Sequence, residues 1–167
     1  MTRPSWTVRP EGERDVDAAV KLLAEVTIEG TGVATQWPFD LGARARTARD
    51  ALLQRRNVGW VALDGHRLVG ELVVFEIDRD EPEFGMIVAA THRRRGIGAA
   101  LLEHAIAWAQ AAGKPALALR VFPENLGARA LYERLGFVEV ELQRGAVARR
   151  DGPPRDALIM RRPSAPG

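Results

Sequence analysis

Residues 91–102 read THRRRGIGAALL: three consecutive arginines, Arg93, Arg94 and Arg95, run into a Gly-x-Gly, Gly96 and Gly98, and then straight into an apolar helical pattern. The residues before them, Phe84–Ala89, read as a strand. A strand that ends in a glycine-containing turn and feeds a helix gathers unpaired backbone N–H groups at the positive end of the helix dipole. Such a point binds anions. Gly96 and Gly98 leave the backbone open to a phosphate, Ile97 can turn into the core, and the guanidinium groups add charge at the rim. A pyrophosphate suits the turn better than a single phosphate, because successive amides can each engage an oxygen. A dinucleotide fingerprint would need a glycine where Leu101 stands, and a Walker A loop would need Gly-Lys-Ser/Thr, which is absent. The plain alternative is a helix start decorated with solvated arginines.

Working outward, the apolar positions Ile97, Leu101, Ala105, Trp108 and Ala112 form one stripe, with Gly113 and Pro115 as stop signals, which predicts a helix over 97–112. Upstream, GWVALDGHRLVGELVVFEI reads as two strands joined by an Asp64–Gly65 type I′ turn, with Gly70 marking a bulge. Nearer the start, Ser5–Arg9 predicts a short strand closed by Pro10, Asp15 a helix N-cap before Val16, Ala19, Val20, Leu23 and Val26, and 44–56 a second helix. The intervening 28–43 has no sustained period and carries Trp37 and Phe39, which suggests a loop walling a pocket. Downstream, a strand at Ala116–Val121, a helix from about Leu126 to Leu135 ended by Gly136, and strands at 137–144 and 156–161 complete a mixed α/β order. The reading is one domain over 1–167, with 163–167 a disordered tail.

Composition narrows the function. The 24 basic and 22 acidic side chains leave a net charge of +2, so the pI of 9.6 reflects the lack of cysteine and the single tyrosine rather than a basic surface. The arginine run is not interleaved with exposed aromatics, so no nucleic-acid partner is expected. Without cysteine there is no disulfide or thiolate nucleophile, and His66, His92 and His104 lack metal-ligand spacing, so no metal is expected. The first ten residues lack a signal-type apolar run, and the most apolar long segment, 97–112, is interrupted by Glu103 and His104. The expectation is no membrane partner and a cytoplasmic location.

The stretch PENLGARALYERLGF, 123–137, supplies the second motif. Asn125 and Tyr132 are seven apart and share a helical face, while Leu131 and Leu135 lie on an adjacent apolar one. Taken alone, this is a capping asparagine and a core tyrosine. Together with Arg93-x-x-Gly96-x-Gly98, the pattern Asn125-x-x-Ala128-x-x-Leu131-Tyr132-x-x-x-Gly136-Phe137 strongly resembles the GNAT superfamily of acyl-CoA-dependent N-acetyltransferases, over nearly the whole chain. That resemblance implies a mostly antiparallel central sheet splayed in the middle and flanked by about four helices.

It also implies acetyl-CoA as co-substrate. The amides of Arg94, Arg95, Gly96, Ile97, Gly98 and Ala99, with Arg93, would hold the pyrophosphate. Met86, Ile87 and Val88 would pair with the pantetheine arm; Ala128 and Arg129 would contact the cofactor from the following helix, and Asn125 would contact the arm or order water. Tyr132 would protonate the leaving thiolate. The position often occupied by proline in relatives is Ala90. Removing the proton of an ammonium acceptor needs a base. Glu83, just before the central strand, is the best-placed carboxylate, with Glu71 and Glu76 as alternatives and Glu71 also a candidate acceptor contact. Trp37 and Phe39, together with the 145–156 loop, should wall the pocket for the amine of a small molecule or a protein N-terminus, and favour a flat or apolar body. A homodimer is left open. A non-catalytic acyl-CoA sensor of the same fold is the alternative function, against which the retained Tyr132 speaks.

Overall fold

The computed structural model describes residues 3–30 and 32–164. Seven strands, β1 (Trp6–Pro10), β2 (Val58–Asp64), β3 (Arg67–Phe75), β4 (Glu83–Val88), β5 (Ala116–Val121), β6 (Val138–Val147) and β7 (Arg155–Pro163), form one sheet in the order β1-β2-β3-β4-β5-β7-β6. Every neighbouring pair is antiparallel except β4 and β5. Among the described residues four α-helices, α1 (Val16–Glu29), α2 (Leu41–Leu53), α3 (Ile97–Ala111) and α4 (Leu126–Arg134), connect them. The mixed, mostly antiparallel sheet with four helices is the architecture the sequence motifs imply.

Several boundaries moved for identifiable reasons. Asp15 does not cap α1. Its carboxylate instead accepts from Arg9 at 2.7 and 2.8 Å and from the Gly12 N–H at 2.8 Å, closing a short 3₁₀ turn ahead of the helix. Helix α2 starts three residues earlier than expected because Asp40 caps it, accepting from the Ala43 N–H at 2.8 Å. The β2–β3 turn is Gly65–His66, one residue later than expected, and only Gly65 has positive φ (60°), so it has type II′ rather than type I′ character. The chain also stays ordered past the expected tail start: Pro163 pairs with Ala116, and the Ser164 N–H donates to the Pro115 carbonyl, while 165–167 lie outside the described residues.

The main core lies between the sheet and α3, where Ile97, Leu101, Leu102, Ala105 and Ala109 are buried. The stripe runs through Leu102 and Ala109 instead of the expected Ala112, which is exposed. A smaller cluster of Val16, Val20 and Ala45 joins α1 to α2, with Phe39 against it. The register slips where Ala62 faces Gly70 and Leu63 faces Leu68, leaving Val69 as the extra, bulged residue beside the expected glycine. Gly70 has its own task. A Cβ there would lie 2.9 Å from Ile97 Cγ2, 3.2 Å from Leu101 Cδ1 and 3.3 Å from Ala62 Cβ, so its absence lets α3 sit close on the sheet. Gly70→Ala should therefore destabilise the fold by about 1–3 kcal/mol through overpacking, seen as a lowered Tm in calorimetry; an unchanged Tm would show that α3 has room to spare.

Candidate active site

Strands β4 and β5 run parallel but pair only at Glu83↔Ala118 and Phe84↔Leu119, after which they part. The Ala89 N–H donates to Val69 on β3 at 2.8 Å, and the Ala118 N–H of β5 donates to the Pro82 carbonyl at 3.1 Å. Alternation along the strand then aims the N–H and C=O of Gly85 and Ile87 at β3, and those of Met86 and Val88 into the gap. Within the gap the Val88 carbonyl is already taken by Arg93 Nε at 3.1 Å. What remains open is a short polar edge: Met86 N–H and C=O, and Val88 N–H.

The arginine–glycine turn stands where this edge ends. Arg94 (φ 59°) and Gly96 (φ 84°) are both left-handed, which curls the chain before α3. The Ala100 N–H closes the first helical bond onto the Gly96 carbonyl, and the N–H groups of Arg95 through Ala99 donate to no protein acceptor among the described residues. Such a row of free amides at a helix start is an anion cradle. The three arginines are not equivalent. Arg93 makes a two-pronged ion pair to Glu29 at the end of α1, at 2.6 and 3.1 Å, so it braces the turn against that helix instead of extending at the rim. Arg95 reaches Ser5 Oγ only at 3.5 Å, and Arg94 has no ion-pair partner among the described residues. Gly98 is bare for a reason beyond ligand access: a Cβ would lie 3.1 Å from Leu131 Cδ2 and 3.4 Å from Met86 Cε, so α3, α4 and β4 meet there. Behind the turn, buried His92 bonds Asp64 Oδ2 through Nε2 at 2.9 Å and Thr91 Oγ1 through Nδ1 at 2.8 Å, tying the turn to the end of β2.

Helix α4 completes the arrangement. Asn125 Oδ1 accepts from the Ala128 N–H at 3.3 Å and so caps the helix. Tyr132 is 7% exposed and stands edge-on to Phe84 of β4 and Phe137, with ring centroids 5.9 and 6.0 Å apart. No hydrogen bond to its hydroxyl is formed among the described residues, and burial pushes its pKa up to about 12. The phenol therefore keeps its proton at neutral pH. Phe84 and Glu83 are neighbours on β4, so their side chains leave opposite faces of the sheet. Tyr132 thus stands on one face of the point where β4 and β5 part, and Glu83 on the other. The Glu83 carboxylate is paired with Arg120 of β5 at 3.1 Å.

The α1–α2 loop and the β6–β7 loop are bonded to each other. Arg149 donates to the Ala34 carbonyl at 3.2 Å, the Arg150 N–H to Gln36 Oε1 at 3.0 Å, and the Arg150 guanidinium to the Pro38 carbonyl at 2.7 Å. Trp37 (43% exposed) and Phe39 contact each other edge-on in this strap, at 5.5 Å. A cleft of about 570 Å³ is bordered by Gly30 and Gly32 at the start of the α1–α2 loop and by Glu124, Asn125 and Arg155.

This geometry has counterparts in known proteins. The sequence pattern of the Acetyltransferase (GNAT) family matches residues 27–137. The chain belongs to the GNAT acetyltransferase family. It is 39% identical over 98 residues to the ribosomal protein bS18-alanine N-acetyltransferase of Escherichia coli, a match that spans 56% of this chain and 66% of that relative, just under two thirds. The solved structure of the Escherichia coli bS18-alanine enzyme superposes with a TM-score of 0.73 at 25% identity, covering 97% of this chain and 96% of that one. The yncA protein of Salmonella typhimurium, solved with acetyl-CoA, shares the fold at a TM-score of 0.83 and 18% identity, covering 98% and 96%. No helix among the described residues is long and apolar enough to cross a membrane, and no cluster of three potential metal ligands occurs among them.

Within this GNAT fold, three expected residues besides Arg93 have their groups engaged away from the gap. Ile87 spends its backbone on β3 and its side chain in the core. Arg129 turns its guanidinium to the Pro123 carbonyl, at 2.7 Å, and to Glu139, leaving a buried Nε without a partner. Glu71 shares the face of Ile87, away from Tyr132, and stands beside the carboxyl of Glu11. Glu76, the other alternative base, is exposed and paired with Arg79 at 3.0 Å. Glu11 and the Glu29 brace were not anticipated; the one sequence signal for Glu11 is Gly59, a glycine inside a β-rich run.

Burial and the neighbouring Glu71 carboxylate push Glu11 up to about 8, and burial raises Glu71 as well. In the folded protein Glu11 is therefore protonated over a range in which an unfolded glutamate, near 4.5, is not. The folded state binds more protons, so stability should fall as pH rises from about 4.5 to about 8. Glu11→Gln keeps the shape without the titration and should flatten that slope in urea unfolding at pH 5, 6.5 and 8; an unchanged slope would place the titrating group elsewhere.

Proposed function

We propose that this chain moves an acetyl group from acetyl-CoA directly to the primary amine of a small molecule or a protein N-terminus, with no acyl-enzyme. The observation that carries the reading is the open β4 edge, with free turn amides at one end and a protonated phenol over the other. The family membership and the relatives' N-acetyltransferase activity support it, and the absence of any cysteine removes one common covalent nucleophile. In this reading the amides of Arg95 to Ala99 hold the pyrophosphate, and Met86 and Val88 pair with the pantetheine arm. Asn125 and Ala128, at the start of α4, line the arm's other side. The Met86 N–H, the open strand amide nearer the Tyr132 end of the edge, is the candidate to polarise the thioester carbonyl.

The acceptor reaches the carbonyl from the Glu83 face. Glu83 takes one proton from the ammonium and passes it to water, freeing the nitrogen lone pair to attack the carbonyl carbon. As the C–N bond forms the C–S bond breaks, and its electron pair goes to sulfur. Tyr132 gives sulfur its phenolic proton. The second nitrogen proton, lost once the amide forms, restores Tyr132 through water, so one proton is released overall.

Tyr132→Phe retains the aromatic packing and deletes the proton. Acetyl-CoA should still bind in calorimetry while turnover, read by thiol release, falls about a hundredfold or more. The ultraviolet titration of the sole tyrosine should have its midpoint near 12; a tyrosinate at neutral pH, or near-normal turnover in the Phe variant, would make Tyr132 structural. Glu83→Gln should depress turnover at neutral pH and lose less at high pH, where the amine is already neutral. A pH–rate profile of unaltered shape and height would move the base to another group or to solvent.

A further inference from the structure

The point where β4 and β5 part carries a bare patch on its Glu83 face. Alternation puts Glu83 and Gly85 of β4 on that face, with Phe75 of β3 directly across from Glu83 on one side and Ala118 of β5 directly across on the other. Of the five phenylalanines, Phe39 is half-buried and Phe84, Phe122 and Phe137 are buried, whereas Phe75 is 41% exposed. Its ring does not stay in its own row. It leans one row toward the opening, where Cε2 lies 3.3 Å and Cζ 3.7 Å from the point a Cβ on Gly85 would occupy. Gly85 is itself exposed, so the ring covers it only in part and leaves apolar surface beside a strip of strand that has no side chain. Met86, the next residue, turns its N–H into the gap.

Resting on the acetyl-transfer reading above, we infer that Phe75 is a specificity-determining residue for the acceptor: it holds a flat, apolar group borne close to the amine, and Gly85 is the floor over which that amine reaches the thioester. Glu83 and Gly85 are two residues apart on one face, about 7 Å, and Met86 is the residue beyond, so an amine over Gly85 has the base on one side and the polarising amide on the other. A side chain on Gly85 would fill that place. On the β5 side, Arg120 shares the face of Ala118 and holds the Glu83 carboxylate at 3.1 Å, so Glu83 has little charge to spare for a second cation. An apolar body gains ring surface here, and a polyamine gains nothing comparable.

The test compares 2-phenylethylamine with ethanolamine by thiol release from acetyl-CoA at one pH, with rates expressed per neutral amine. The wild type should favour 2-phenylethylamine by at least about tenfold in kcat/KM, the size that burying one aromatic group supplies. Phe75→Ala, at an exposed position, should erase that preference by raising KM for 2-phenylethylamine, with the ethanolamine kcat/KM and the acetyl-CoA affinity in calorimetry nearly unchanged. Gly85→Ala puts a methyl group on the floor and should depress kcat/KM for both amines while acetyl-CoA still binds. No preference in the wild type, no acetylation of either amine by protein that binds acetyl-CoA, an equal loss for both amines in Phe75→Ala, or unchanged rates in Gly85→Ala would overturn the inference and leave Phe75 as cover for a strand glycine. Failure to bind acetyl-CoA in calorimetry would instead overturn the transfer reading, and this inference with it.

Discussion

Everything at the site follows from the parallel pairing of β4 and β5 lasting only two residues. A sheet otherwise satisfies its backbone groups by continuous ladders, and a buried unpaired N–H or C=O is costly. Here the ladder stops after Phe84↔Leu119, yet both strands stay in place because each is fully paired on its other side, β4 with β3 and β5 with β7. The gap is thus held open by neighbours rather than by anything inside it. The aromatic trio of Phe84, Tyr132 and Phe137 packs at the closed end on one face.

The charges around the gap divide their labour. Arg93 looks like part of a phosphate-binding run, but it is consumed by Glu29 and Val88, and its effect is to fix the angle between α1 and the turn. Much of the binding capacity of the turn then resides in its backbone amides, whose charges are partial but whose positions are set by two left-handed residues. A cradle made of amides discriminates by shape, while the mobile guanidinium of Arg94 contributes attraction at longer range.

The sequence was most legible where a residue's local role and its tertiary role coincide. Leu101 and Ala105 follow helical periodicity and are buried because α3 lies on the sheet; the glycine turn has to be where a strand feeds a helix. Legibility failed where partners come from distant segments. Arg93 and Glu29 are 64 positions apart, and Arg129 bonds a strand that starts beyond its own helix, so neither orientation is encoded in the local pattern. The α2 start was missed for a different reason: Asp40 is a good cap hidden in a stretch without apolar period. Ile87 shows a third limit. The family resemblance places three consecutive β4 residues at the gap, but strand alternation gives every second residue's backbone to the neighbouring strand.

Glu11 lies across the face of β2, with its Oε2 only 2.2 Å from the point a Cβ on Gly59 would occupy. The carboxyl and the missing methyl therefore compete for one volume, 48 positions apart in the chain. Among homologues the two positions should covary: a side chain at 59 displaces the carboxyl of a long acid at 11 and is placed more easily beside a shorter residue there. The same exclusion favours a mutational order on any lineage crossing between the two states, with position 11 shrinking before position 59 grows.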